Sequence, residues 1–147
     1  MYSLFYRIIL VALLVMAGNG MVYGNSLVIE EGRSEGRAVY EAYCAGCHGL
    51  SGQGQADWNQ KNQQGELPAP PHDPEGHTWK HSDKMLYNIV AKGWRDPWND
   101  SNRLTMPAFE NILTPSEIRN VVNYLKTFWN ADQRQHQESE SLTAPFP

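Results

Sequence analysis

Residues 44–48 read Cys-Ala-Gly-Cys-His (CAGCH), and the chemistry of this stretch decides how the rest of the chain is organised. Residues three apart are neighbours on a helix surface, so the thiols of Cys44 and Cys47 lie on one side of a helical turn. Each thiol can then bond to one of the two vinyl groups of a haem, while His48 brings an imidazole beneath the iron. C-x-x-C-H is the attachment sequence of c-type haem. We therefore expect one covalently bound haem c, with Cys44, Cys47 and His48 as its binding residues.

Three other uses of the cysteine pair fit the sequence less well. A thioredoxin-like redox pair needs a βαβ context, whereas the flanking segments have the pattern of helix and loop. A zinc site needs further ligands, and the chain has only 2 cysteines, so distant histidines would have to supply them. A disulfide between positions three apart would constrain very little of the chain.

The second axial ligand is sought among the 5 methionines of the chain. Three of them lie near the start of the sequence: Met1, Met16 and Met21. Met85 falls on the apolar face of a predicted helix, where we expect a core position. Met106 lies in a loop and is followed by Pro107, without helical neighbours that would bury it. Because a thioether binds haem iron, we predict Met106 as the second axial ligand, with gap-filling in the core as the alternative.

Four other histidines are candidates for bis-histidine ligation of the iron or for a second, small metal site: His72, His77, His81 and His136. The spacing of His77 and His81 suits a metal only if both lie on one helical turn. Gly76 before them and Ser82 after them indicate a loop and a helix start instead. We expect the three loop histidines to be solvated or hydrogen-bonded and His136 to face solvent.

Three segments of the chain have helical periodicity. The first runs from residue 34 into Cys44, and the second begins after an N-cap at Ser82. Thr114 begins the third, with Pro115 at the first helical position and Glu117 completing a capping box. Apolar residues at helical spacing then continue to residue 129.

Two long irregular regions, residues 49–80 and 94–113, separate these helices and are rich in glycine, proline and polar residues. Short helices and long loops bury little apolar surface by themselves, so we expect a large apolar disc such as haem to complete the core. Residues 131–147 are rich in glutamine, serine and glutamate, and the sequence predicts a disordered polar tail there.

The first 24 residues differ in composition from the rest of the chain. Arg7 is their one charged residue, and residues 8–17 (IILVALLVMA) are an uninterrupted apolar run followed by small residues. This pattern is typical of a secretory signal peptide, and the run is shorter than the roughly 20 apolar residues of a membrane span. We therefore expect export to the periplasm or to an extracytoplasmic membrane surface. An uncleaved N-terminal anchor, with membrane association through residues 1–24, is the alternative.

The composition argues against a nucleic-acid partner. The chain has 147 residues with a formal net charge of −4, and no basic run that would form a nucleic-acid-binding face. This acidity favours protein partners with basic docking surfaces.

Further residues occur in the order found in class I cytochromes c, which this chain resembles over residues 33–130. The order begins with G-x-x-x-Y-x-x-x-C-x-x-C-H-G from Gly36 to Gly49, and residues 105–109 (TMPAF) and 113–118 (LTPSEI) follow. The resemblance implies an all-α fold of three to four helices with long loops around one haem. It also implies that the first and last helices cross near Gly36 and Tyr40.

The resemblance further implies His48 and Met106 as the axial ligands of the iron. In the family a proline carbonyl accepts the proton on the far nitrogen of the ligand histidine, and three residues are candidates: Pro68, Pro70 and Pro71. Trp79 is a candidate donor to a haem propionate. The lysine-rich docking rim of the family is absent from this acidic chain.

These observations together predict an electron carrier and not an enzyme. Two filled axial positions leave no place for a substrate on the iron, which then changes only its oxidation state. The implied partners are redox proteins, one that donates and one that accepts the electron. Two alternatives stay open: a haem enzyme or gas sensor with an open axial position, and a tethered cytochrome subunit of a respiratory complex.

Overall fold

The computed structural model describes residues 26–63, 65–97 and 103–147. Its contacts divide the chain into two compact units, Met1–Gly32 and Arg33–Pro147. In the first unit the described residues are helical and expose three apolar side chains, Leu27, Val28 and Ile29. The predicted leader over residues 1–24 lies outside the described residues. None of the helices in the described ranges is long and apolar enough to cross a membrane.

The second unit consists of helices and loops. Its elements in chain order are α1 (residues 33–43), α2 (Ala45–His48), a first 3-10 helix (Thr78–Lys80), α3 (Asp83–Lys92), α4 (Pro115–Leu125), a second 3-10 helix (Lys126–Phe128) and α5 (Ala131–Thr143). An isolated antiparallel bridge joins Trp94 to Met106, and the described part of the chain contains no strand. The expected all-α fold is confirmed.

Helices α1 and α4 cross at Gly36. A Cβ at this position would lie 2.6 Å from the carbonyl carbon of Asn120 on α4, so only glycine permits this approach. One turn later the fully buried ring of Tyr40 packs against Tyr124 and Phe128, each with a centroid distance of 5.4 Å. The crossing implied by the family resemblance is therefore present, but its partner α4 is the last of the predicted helices and not the last of the structure, since α5 follows it.

The apolar core lies between α1, α3, α4 and the segments that follow α3 and α4. Its buried side chains are Val39, Tyr40, Leu86, Val90, Ala91, Phe109, Leu113, Ile118, Val121, Val122, Leu125 and Trp129. Both predicted helix starts are present. The Thr114 side chain accepts from the Glu117 amide while the Glu117 side chain accepts from the Thr114 amide, and Ser82 caps α3.

The prediction of a disordered tail is wrong for residues 131–143, because these residues form α5. Asn130 caps the helix in a reciprocal pair with Gln133, and α5 packs against the first 3-10 helix and α3. The helix docks mainly through polar contacts. The fully buried amide of Gln137 donates to Asp83 Oδ1 at 2.7 Å, and the Ser141 hydroxyl accepts from the Asp83 amide at 2.9 Å. The composition of α5, rich in glutamine and serine, therefore did not indicate that one face of this helix is packed.

Candidate functional site

The two cysteines stand at the junction of α1 and α2. Cys44 precedes α2 and its carbonyl accepts the amide of His48 at 2.9 Å, so the turn between them is closed. Both thiols are free, with Cys44 half-buried and Cys47 exposed. Burial, with a smaller effect of Cys47, raises the pKa of the Cys44 thiol to about 11. This thiol is accordingly protonated at neutral pH.

The imidazole of His48 is buried and held in one tautomer. Its Nδ1 lies 2.8 Å from the carbonyl oxygen of Pro70. Because a carbonyl oxygen only accepts, Nδ1 carries the proton and the lone pair is on Nε2. Burial lowers the pKa of His48, and the bond to Pro70 opposes that effect without cancelling it. Of the three candidate prolines, Pro70 is the one whose carbonyl meets this ring.

A second imidazole, that of His72, lies flat against His48. The two ring centroids are 4.0 Å apart and the ring planes differ by 25°. His72 Nδ1 is 2.9 Å from the hydroxyl of Thr78 on the first 3-10 helix. The hydrogen bond expected for this histidine is present, whereas its contact with His48 was not predicted. Its place directly after Pro70 and Pro71 was the available signal.

Met106 is anchored through its backbone. Its amide donates to the carbonyl of Trp94 and its carbonyl accepts the amide of Trp94, both at 3.0 Å. Gly93, with φ of 76°, lies so close that a Cβ there would be 2.6 Å from the Met106 carbonyl oxygen. The side chain of Met106 is partly buried and packs against the core.

One cavity of about 590 Å³ brings the predicted site residues together. Cys44, Cys47, His48 and Met106 all line it. Much of the remaining wall is apolar, from α3, α4 and the loop after Met106: Leu86, Ile89, Val90, Phe109, Val121 and Leu125. Two thiols, an imidazole with a free Nε2 and a thioether around an apolar cavity are the donor set of a haem c, and these residues fit that group.

Two side chains, those of Met85 and Trp79, differ from the expectations for them. Met85 is not a core residue: it is 39% exposed and also lines the cavity. Trp79 is not among the lining residues, and its indole N–H donates to the Gly76 carbonyl at 3.0 Å, so its predicted role as a propionate donor is not supported. Instead Trp58 lines the cavity and stacks on His77, with a centroid distance of 6.0 Å.

The remaining histidines form no metal cluster in the described part of the chain. His77 is exposed, and its ring meets that of His81 edge-on at 5.3 Å. Burial is the main cause that lowers the pKa of His81. His136 is about half exposed and its ring meets the edge of Trp79 at 5.4 Å, so it faces solvent in part.

A group of buried carboxylates at the cavity wall was not predicted. Glu66 is buried and pairs with Arg103, and buried Asp96 accepts the amide of Leu67 at 3.1 Å. These contacts join the loop before α3 to the loop that carries Met106. No local spacing in the sequence links these residues, because the pairs come from distant segments.

Comparison with known proteins agrees with this geometry. A family model described as cytochrome c matches residues 34–129, which is more than half of the chain. No curated protein matches the chain. The matched range contains both cysteines, His48 and Met106. The chain therefore belongs to the cytochrome c family, and it is a haem-binding electron-transfer protein whose cofactor is covalently attached haem c.

Proposed function

We propose that the chain is a monohaem electron carrier in an exported redox chain, with Cys44 and Cys47 bonded to the haem and with His48 and Met106 as axial ligands. The observation that carries this proposal is the bond from His48 Nδ1 to the Pro70 carbonyl. It leaves Nε2 as the free lone pair of a buried imidazole, on the wall of a cavity that both cysteines and Met106 also line.

Each protein group has a defined part in this function. Haem, when bound, supplies the one-electron couple of its iron. The Pro70 carbonyl orients His48 and increases the electron density on the imidazole. The bridge to Trp94 holds the backbone of Met106 beside the cavity. The apolar wall excludes water, and a thioether ligand favours the reduced state relative to a second imidazole.

Met106 is a better candidate for the axial ligand than Met85, although both line the cavity. Met106 is partly buried against the core and lies on a segment fixed by two backbone hydrogen bonds. Met85 is 39% exposed on α3. A ligand that must stay bound through repeated oxidation and reduction requires the more restrained site.

The composition of the chain supports export and redox-protein partners. The apolar run over residues 8–17 supports export, and bacterial attachment of haem to cysteine takes place outside the cytoplasm. The partners are redox proteins, a donor and an acceptor, met in the periplasm or at an extracytoplasmic membrane surface. Mass spectrometry of the purified protein tests this part, since cleavage removes a segment near residues 1–24 and an anchor retains it.

Optical spectra of both redox states test the ligand set. We compare the wild-type holoprotein with Met106→Ala and with the matched control Met85→Ala. The sulfur-to-iron charge-transfer band should be present in the ferric wild type and in Met85→Ala and absent from Met106→Ala. The reduced wild type should not bind carbon monoxide, whereas reduced Met106→Ala should.

Three results would contradict the proposal. A colourless wild-type protein would show that no haem is bound. Persistence of the charge-transfer band in Met106→Ala would exclude Met106 as the ligand. Rapid, stoichiometric binding of carbon monoxide by the reduced wild type would point to a haem enzyme or gas sensor with an open axial position.

A further inference from the structure

The stacked imidazoles of His48 and His72 lie on one side of the cavity, and their contact bears on how the His48 ring is oriented. The bond to Pro70 fixes one atom of the His48 ring at 2.8 Å. A carbonyl oxygen accepts over a broad range of directions, so this bond restrains the rotation of the ring plane only loosely. A flat group against the face of the ring restrains that rotation, and His72 supplies it at 4.0 Å with planes only 25° apart.

We propose that His72 is a positioning residue that fixes the plane of the His48 imidazole and thereby the orientation of the axial ligand at the iron. This inference rests on the proposed function, in which His48 binds the iron. His72 is not itself a ligand in this arrangement.

A positioning residue must itself be held, and His72 is held at three points. Its amide donates to the Gly52 carbonyl at 2.6 Å, and its carbonyl accepts the indole N–H of Trp129 at 2.8 Å. Its ring is fixed by the buried hydroxyl of Thr78, at 2.9 Å from Nδ1. The same hydroxyl lies 3.4 Å from the Pro71 carbonyl oxygen.

The support of Thr78 continues into the C-terminal helix. Thr78 begins the first 3-10 helix, against which α5 packs. Trp79 of the same 3-10 helix meets the ring of His136 on α5, and the Gln137 amide donates to the His81 carbonyl at 3.3 Å. The ring that orients His48 is therefore backed by a packed element and not by a free loop.

The orientation of an axial imidazole has a spectroscopic signature of its own. The ring plane determines which iron orbital shares electron density with the ligand, and this sets the order of the four haem-methyl resonances in the ferric protein. It also sets the anisotropy of the electron paramagnetic resonance signal. Neither property reports on stability, so both separate a positioning role from a purely structural one.

The test uses the ferric holoprotein and four variants. His72→Leu removes the flat ring at similar volume, His72→Phe keeps a flat ring without the hydrogen bond, and Thr78→Val removes the anchor of the ring. Gln135→Leu is the control, because it introduces the same leucine at an exposed position of α5 that does not line the cavity. Haem-methyl shifts, resonance anisotropy and reduction potential are recorded for each.

We expect a rearranged order of haem-methyl resonances and an altered anisotropy in His72→Leu. His72→Phe should keep the wild-type order, Thr78→Val should shift in the direction of His72→Leu, and Gln135→Leu should leave the pattern unchanged. The reduction potential of His72→Leu should differ from that of the wild type, and that of Gln135→Leu should not.

A wild-type pattern in His72→Leu would overturn the inference, and so would an equal change in Gln135→Leu. If His72→Leu does not incorporate haem, Thr78→Val decides: an unchanged pattern overturns the inference and a changed one supports it. Failure of the proposed function is a different result, since it removes the ligand bands of the wild-type protein, whereas failure of this inference leaves them intact.

Discussion

The close approach of α1 to α4 makes Gly36→Ala the most direct test of the fold. A Cβ at this position would lie 2.6 Å from the carbonyl carbon of Asn120 and 3.0 Å from the Cβ of Tyr124. Ordinary carbon–carbon contact begins at about 3.5 Å, so the two helices must separate by about 1 Å. The atoms that clash belong to helix backbones and cannot rotate away.

The expected change in the free energy of unfolding of Gly36→Ala is the sum of two opposing effects. Overpacking against backbone costs about 3 kcal/mol, the upper part of the usual range. Replacing glycine by alanine within a helix returns about 1 kcal/mol. We therefore expect a net loss of about 2 kcal/mol in the free energy of unfolding. For a domain of this size that corresponds to a decrease of about 8 °C in Tm.

The assay is guanidinium chloride unfolding of the holoprotein, followed by far-ultraviolet circular dichroism and by the Soret band. Ala38→Gly is the matched control, because Ala38 is exposed on the same helix and isolates the effect of helix propensity. The control should lose about 1 kcal/mol. A Gly36→Ala protein as stable as the wild type, or more stable, would refute the reasoning from the helix crossing.

Three further predictions concern α5, the cofactor and a buried histidine. Gln137→Ala should cost about 1–3 kcal/mol in denaturant unfolding, because it removes the buried hydrogen bonds that join α5 to Asp83 and to the His81 carbonyl, while the exposed control Gln135→Ala should change little. The double variant Cys44→Ala/Cys47→Ala, purified without haem, should be largely unfolded by circular dichroism, since the cavity wall then faces water; native-like helix content would contradict this. Burial lowers the pKa of His81 in the folded chain below 6.5, so the unfolded chain binds more protons below that pH. Stability should therefore decrease as the pH falls through about 6.5 and level off below the folded pKa of His81, and it should decrease less in His81→Asn. Identical pH profiles of the two proteins would show that His81 does not cause the decrease.

Local spacing was sufficient for much of the site and of the helices. The haem-attachment residues occupy one helical turn, so their spacing alone indicates their chemistry. The capping residues Thr114 and Glu117 interact within four positions of each other and were predicted correctly for the same reason. The spacing pattern of α3 misled, however: it placed Met85 in the core, whereas the apolar face of α3 extends to the cavity wall and leaves this side chain 39% exposed.

Other features depend on segments that are distant in the chain. Three prolines were equal candidates to meet His48, and only the path of the loop selects Pro70. The polar composition of residues 131–143 resembles that of a solvated tail, and only docking onto Asp83 and the first 3-10 helix makes α5 an ordered element.

The sequence by itself thus determined the cofactor, its covalent attachment, the starts of α3 and α4 and the family, because each of these is encoded in residues a few positions apart. Only the tertiary structure decided the stacking of His72 on His48, the pairing of Glu66 with Arg103 and the packing of α5. The physical reason is that a contact between distant segments depends on how the whole chain buries its surface, and no local pattern carries that information.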